Sequence, residues 1–366
     1  MNRRSFTAGT IGLLALGGVS AWGWRASLGS MSEYTRYAEA LRAPLAPDPS
    51  LHELIRYATL APNSHNTHPW RFVIGTDAIH INADLSRATP AVDPDHHHIF
   101  VSLGCAAETL RIAAQATGRP GALLIEENGA VSYAFSNGRP HADALFAAIP
   151  RRQSTRTEFD GRPVPTSDLQ RLARAAATPG VDLVLIVDRP RVGNIRDLVI
   201  AGNNAQMADP AFISELKRWL RFNPKSAMVA GDGLFSATSG NPVLPDAVGR
   251  RAFDHLVTAS AEDHKYRRQL DSSAGIAVFV GESEDRAHWV AVGRACQRFA
   301  LAATSLGLRC AFVNQPIEVA RLRPDLAAIV GAPGKRPDLV MRFGYGSELA
   351  FSPRRPVEAV LSTTRR

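Results

Sequence analysis

The chain has 366 residues, 45% hydrophobic and 21% charged, with 42 Lys and Arg against 34 Asp and Glu for a formal charge of +8. This length and apolar content exclude a disordered chain and leave room for two or three domains. Cys105, Cys296 and Cys310 share no short spacing, which argues against a disulfide framework or structural zinc, and the scattered Arg show no nucleic-acid footprint.

Residues 1–30 read as an address. Arg3-Arg4-Ser5-Phe6 followed by an uncharged, Gly-containing stretch over 7–24 is the pattern of a twin-arginine export signal, with Val19-Ser20-Ala21 as the cleavage site. An uncleaved membrane anchor is the alternative. Without residues 1–30 the charge falls to +5. The expected partner is the twin-arginine translocase and the expected location the periplasm. Export of folded chains points to a tightly bound cofactor.

Apolar residues Leu51, Leu54, Ile55 and Ala58 predict a helix over 51–60 that stops at Pro62. Residues 70–74 and 78–82 read as a strand pair around Gly75-Thr76-Asp77, and 100–117 as an Ala-rich helix closed by Gly118. Strands over 122–125 and 131–135 complete an α+β unit over 31–150. A second unit, 151–366, repeats the elements: a helix over 167–177 capped by Ser167, strands over 181–187 and 274–280, and an Ala-rich helix over 289–306 ended by Gly307.

The two Ala-rich helices align without a gap. Gly104, Ala106, Ala113, Ala114 and Gly118 fall on Gly293, Ala295, Ala302, Ala303 and Gly307. Internal duplication, with two related halves packed as an intramolecular pseudo-dimer, is one explanation, and chance likeness of two amphipathic helices is the other. Residues 203–271, rich in turn chemistry, read as a lid-like insertion or a surface excursion.

Asp93-Pro94-Asp95-His96-His97-His98 offers metal-ligand chemistry, but three consecutive His cannot converge on one ion from a regular element. A polar turn before the helix is the better reading, and no metal site is assigned. The Cys read as small core residues and Trp70 as a core aromatic. The most informative stretch runs from Ala61 to Phe72: Ala61-Pro62-Asn63-Ser64-His65-Asn66-Thr67-His68-Pro69-Trp70-Arg71-Phe72. Such a polar loop between a helix and a strand displays amide groups toward one spot, suited to a heteroaromatic or sugar alcohol. No G-x-S-x-G nucleophile accompanies its His.

This stretch resembles the A-P-S-x-x-N-x-Q-P-W-x-F signature of the flavin-dependent nitroreductase superfamily, with His68 in place of Gln and Asn63 where Ser is common. Arg152-Gln153-Ser154-Thr155-Arg156 resembles the family's phosphate-binding R-x-S-x-R, and 295–360, with Asn314-Gln315-Pro316 and Pro353-Arg354-Arg355-Pro356, resembles its C-terminal half. The signature lies in the first half and the phosphate motif opens the second, the reverse of the family's usual order. The resemblance, nearest to the tandem Acg-like subgroup, implies a nitroreductase-like α+β fold holding one FMN between the halves. Arg152, Ser154 and Arg156, joined by Arg354 or Arg355, would hold the phosphate. Pro62, Asn63, Ser64 and Asn66 would line the ring and ribityl chain, and Asn314, Gln315 and Pro316 would place a backbone N–H near flavin N5. The implied function is two-electron transfer from NAD(P)H or another small reductant to a small acceptor, with no catalytic side chain needed. A flavin-sequestering protein with little turnover is the alternative, and a periplasmic metal-binding protein the minor one. The assembly expected is a monomer or a homodimer of pseudo-dimers.

Overall fold

The protein's computed structural model describes residues 28–362, so most of the expected signal lies outside the described residues. Helices α1 (Met31–Leu41) and α2 (Leu51–Ala58) each start with a capping box, Ser30 with Glu33 and Ser50 with Glu53. Then come β1 (Trp70–Ile74), β2 (Ala78–Ala83), α3 (His97–Ala116), β3 (Gly121–Ile125), β4 (Val131–Phe135) and the short α4 (Ala144–Ala148). The first sheet is antiparallel in the order β1-β2-β4-β3.

The chain continues through α5 (Thr166–Ala176) and β5 (Val181–Ile186) into a mainly helical excursion. It contains α6 (Arg189–Met207), α7 (Pro210–Trp219), β6 (Leu220–Arg221), α8 (Pro224–Ala230), β7 (Leu234–Phe235), α9 (Asp246–Leu256) and α10 (Ala259–Asp271). Then follow β8 (Gly275–Gly281), α11 (Arg286–Ser305), β9 (Arg309–Phe312), α12 (Gln315–Glu318), α13 (Arg323–Ile329) and β10 (Pro337–Gly344). The second sheet, again antiparallel, has the order β5-β8-β10-β9. Both sheets are therefore wired alike: helix, two strands, a long helix, two strands, with the last strand inside the third. Where the first has a turn between β1 and β2, the second has the whole excursion between β5 and β8.

Several boundaries differ from the sequence reading; α11, for one, starts at Arg286 rather than at residue 289. Helix α3 starts at His97 rather than at residue 100, because the Asp93 carboxylate accepts from the His98 and Ile99 N–H groups and stabilises the extra turn. Helix α5 is preceded by Pro165, and no Ser167 side-chain cap forms. The excursion begins before residue 203, since α6 is a regular helix started by the Asp188 cap and carries no turn signal.

The main core draws on both sheets and both long helices. Helices α3 and α11 touch backbone to backbone. A Cβ built on Gly104 would lie 2.0 Å from the Val290 carbonyl oxygen, and one on Gly293 would lie 2.0 Å from that of Val101. The Cys105 thiol donates to the Gly293 carbonyl at 3.1 Å. One turn along, the Glu108 carboxylate, 0% exposed, accepts from Arg111 on its own helix and from Arg294 and Arg298 on α11, at 3.0 Å each across the interface. Burial opposes its ionisation, but the three guanidiniums outweigh burial and hold its pKa below the usual value.

Gly104→Ala should force the helices apart and lower the unfolding free energy by about 3 kcal/mol or more. Gly193→Ala, in α6 with only Arg196 Nη2 nearby at 3.8 Å, should instead stabilise by about 0.5–1 kcal/mol; denaturant unfolding compares the two. Because the folded pKa of Glu108 is depressed, its contribution is present above the unfolded value and is lost as pH falls through the folded one. Glu108→Gln should therefore destabilise at neutral pH by about 3 kcal/mol and flatten the acid limb of stability against pH.

Candidate functional site

Residues 61–69 leave α2 and enter β1 through a loop with three non-glycine residues in left-handed backbone: His65 (φ 46°), Asn66 (φ 54°) and His68 (φ 52°). Such conformations persist where the surroundings over-determine them, and here they do. Asn63 Oδ1 accepts from the His68 N–H at 2.8 Å. The Asn66 amide donates to the carbonyls of Gly233 and Pro353, both at 3.0 Å, and its oxygen accepts from Arg354 at 2.7 Å. The ring of His68 stacks on Trp70, its Nε2 facing Asn66 Oδ1 and its Nδ1 facing the Arg355 N–H. Burial and the charges of Arg354, Arg87 and Arg355 push His68 well below the imidazole range, so it is neutral, with its proton on Nε2. Asn66 thus ties the loop to the excursion and to the C-terminal arm, and does not line the cavity beside it.

That cavity, about 540 Å³, has three walls. Pro62, Asn63, Ser64 and His65 form one with His98, Val101, Ser102 and Cys105 of α3. Arg156, Asn314, Gln315 and Glu318 form the second. The excursion supplies the third, largely apolar: Phe212, Leu216, Leu220, Phe222 and Phe253, with Tyr266. Of the residues singled out from sequence, Pro62, Asn63, Ser64, Arg156, Asn314 and Gln315 meet here. Asn314 is fixed by its Oδ1, which accepts from the Val340 N–H at 2.9 Å. Gln315 Oε1 is buried without a partner among the described residues, and Pro316 is buried in α12 away from the cavity surface.

Ser154 bridges Cys310 of β9, which holds this segment extended. In extended chain, alternate side chains share a side, which accounts for an R-x-S-x-R pattern. The Arg152 guanidinium donates to the Leu60 carbonyl at 2.8 Å, and Arg354 donates to the same oxygen at 3.1 Å. Arg42, which sequence reasoning missed, joins them; its side chain donates to the Ala38 carbonyl at 3.0 Å. The three are buried beside the cavity rather than on its lining, and carbonyls rather than carboxylates accept their hydrogen bonds. Burial and their mutual repulsion lower the pKa of Arg354 well below its ordinary value and that of Arg42 to about 10. The Arg156 guanidinium, facing the cavity, has no hydrogen-bond or ion-pair partner among the described residues, while its backbone carbonyl accepts from Gln269 at 2.9 Å. Arg355 lies elsewhere, donating to the Ala359 carbonyl at 2.6 Å.

The His run divides three ways. His96 turns the corner into α3 with left-handed backbone, His97 Nε2 meets Asp338 at 2.8 Å, and His98 Nε2 faces Glu318 at 3.5 Å. The polar turn expected there is present over Pro94 and Asp95, but His97 and His98 belong to the buried first turn of α3, with His98 on the cavity. Glu318 also accepts from Gln206 at 2.6 Å. Burial works against charge on both partners, yet their pairing raises His98 and lowers Glu318. His65 is lowered by burial and by the charges of Arg156 and His98. A clue to Glu318 was available, three residues after Gln315.

Residues 149–345 match the Nitroreductase family. The chain belongs to the nitroreductase family. Among relatives, this nitroreductase-family chain is 26% identical over 321 residues to Rv3131 of Mycobacterium tuberculosis, a protein provisionally named an NAD(P)H nitroreductase, covering 84% of this chain and 90% of that one. It is 24% identical over 325 residues to acg of the same organism, also provisionally named an NAD(P)H nitroreductase, covering 84% and 93%. Among solved structures, the FMN-dependent nitroreductase NfnB from Mycobacterium smegmatis in complex with NADPH aligns at a TM-score of 0.40 and 14% identity, over 61% of this chain and 98% of that one.

Asn66→Ala should unlatch the loop from Arg354 and lower the unfolding free energy by about 2–3 kcal/mol, the worth of hydrogen bonds to a charged group. Chemical denaturation reads the loss.

Proposed function

We propose that this chain is a flavoprotein oxidoreductase that holds one FMN non-covalently in the cavity bounded by residues 62–65, Arg156 and Asn314–Gln315. The observation that carries this reading is the trio Arg42, Arg152 and Arg354. Three buried guanidiniums whose hydrogen bonds end on carbonyls are electrostatically unfavourable alone and call for an anion. A phosphate supplies that charge and accepts fork-shaped donors. Arg152 and Arg354, with the Ser154 hydroxyl, would hold it, and Arg156 offers an unused guanidinium toward the cavity. Pro62, Asn63 and Ser64 would line the ring side, with Asn314 and Gln315 opposite. FMN, when bound, supplies two-electron chemistry, and the chain orients it and excludes water. NAD(P)H is the reductant suggested by the names of the relatives, and a small acceptor would take the electrons.

The same reading includes an intramolecular pseudo-dimer: a first half over 31–150 and a second over 151–366, with the excursion as a lid. Identical strand order in the two sheets and the reciprocal Gly104 and Gly293 contacts, 189 positions apart, support it. We also propose export by the twin-arginine pathway to the periplasm, on the Arg3-Arg4 pattern. A second reading, flavin sequestration with little turnover, is favoured by the apolar wall that α7 and α9 place against the cavity.

Purified protein should be yellow, or become so with FMN, at one FMN per chain. Arg152→Ala and Arg156→Ala should each weaken retention by about tenfold or more, as expected for losing a charge-assisted bond. Anaerobic mixing with NADH or NADPH separates the readings: bleaching followed by reoxidation with a quinone or nitroaromatic supports turnover, and persistent colour supports sequestration.

A further inference from the structure

The floor of the cavity holds ionisable chemistry that binding a flavin does not use. His98 reaches it from the first turn of α3, pinned by the Asp93 carboxylate, which accepts from its backbone N–H at 3.0 Å. Its ring faces Glu318 on α12, and Glu318 is in turn held by Gln206 on α6 at 2.6 Å. Three elements thus converge to fix one imidazole–carboxylate pair at a surface that also carries Phe212, Phe222 and Phe253, the Arg156 guanidinium and, from α10, the ion pair of Lys265 with Glu262.

We propose that His98 is the proton donor of the reduction performed in this cavity, and that Glu318 positions it. This rests on the flavin reading above. Two-electron reduction of an apolar, oxygen-bearing acceptor such as a quinone needs one hydride and one proton. FMN, when bound and reduced, would supply the hydride, so that an O–H bond forms on one oxygen of the acceptor and the other oxygen carries the electron pair as an oxyanion. That oxyanion takes the proton from the His98 imidazolium, breaking its N–H bond, and leaves hydroquinone, oxidised flavin and neutral imidazole. Solvent protons then recharge His98.

The groups facing His98 set its readiness. Glu318 on α12 and Asp93 before α3 favour the charged ring. Arg336 before β10 and burial oppose it, and the balance lies above the ordinary imidazole value. Its neighbour His97 is lowered by burial despite the Asp338 hydrogen bond, and His65 across the cavity is also lowered. Of these three imidazoles, His98 is the one whose charged form its surroundings favour, which suits a general acid.

The test uses the full FMN-loaded protein, bleached anaerobically with dithionite and reoxidised by a water-soluble benzoquinone in stopped flow across pH 5–9. Wild type should show a low-pH plateau falling about tenfold per pH unit above the His98 pKa, with a solvent deuterium isotope effect. His98→Gln should lose that limb and the isotope effect and slow reoxidation by about 10²-fold, the usual worth of a general acid. Glu318→Gln should keep the limb but move it to lower pH, a shift that generalised loosening would not produce. Proton NMR titration of His98 in the protein without flavin should place its pKa above that of a free imidazole, independently of turnover. If His98→Gln binds and bleaches normally with an unchanged pH profile, the donor role is wrong while the flavin reading stands. Protein that neither holds nor takes up FMN overturns both.

Discussion

The structure hinges on the absence of two side chains. Gly104 and Gly293 let α3 and α11 meet at their backbones, with each glycine against the carbonyl four residues before the other's successor: Val290 for Gly104 and Val101 for Gly293. This contact places the rest. It brings Glu108 within reach of Arg294 and Arg298, so a fully buried carboxylate is neutralised across the interface. It also sets the depth of the first two turns of α3, which supply His98, Val101, Ser102 and Cys105 to the cavity. The Ser64 N–H, from the loop before β1, points at the Ser102 hydroxyl at 3.4 Å, so the loop takes its position from the same helix. A methyl group at the crossing would act on core and cavity together.

Much of this could be read before any coordinates. The gap-free alignment of the two Ala-rich helices put Gly104 on Gly293, and these residues are neighbours in space. The helices also have equal length, 20 residues each. Local signals sufficed because Ala-rich helical periodicity and a following glycine are properties of a short window. Placement of side chains by distant partners was not legible. Asn66 was placed by the family resemblance among the residues lining the ring and ribityl chain. It is used instead by Gly233 and Pro353, which lie 167 and 287 positions away. Likewise the sequence could not separate Arg354 from Arg355: adjacent residues in extended chain point to opposite sides, and only packing shows that Arg354 joins Arg152. His98 was hidden by its neighbours, since a run of three His reads as one feature whereas the helical corner sends each ring to a different partner.

The basic excess also divides by environment. Arg342 is 0% exposed, yet its guanidinium donates to the carbonyls of Gln269, Thr155 and Thr157 and lies over the Phe159 ring. One buried cation spread over three carbonyls and an aromatic face is a structural tie. Arg42, Arg152 and Arg354 differ because they repel one another and two of them share one acceptor, the Leu60 oxygen. Burial and one like charge, that of Arg156, lower Arg342 too, so what sets the trio apart is three guanidiniums crowded together with two of them on one acceptor.

A duplicated frame would by itself furnish two equivalent cavities, and the residues of α11 explain why the proposal invokes one. Under the same alignment His98 corresponds to Ala287, Ser102 to Ala291 and Cys105 to Arg294. The second copy therefore lacks the imidazole and the hydroxyl, and the position of the small thiol is taken by a guanidinium already committed to Glu108. Glu108 in turn corresponds to Gln297, which donates to the Thr109 hydroxyl at 2.8 Å. On the proposed duplication, these few positions would give the cavity side its imidazole and hydroxyl and leave the other side to ion pairing and packing. The excursion follows the same division. It lies between β5 and β8, and its residues line the cavity on the side that carries the polar loop.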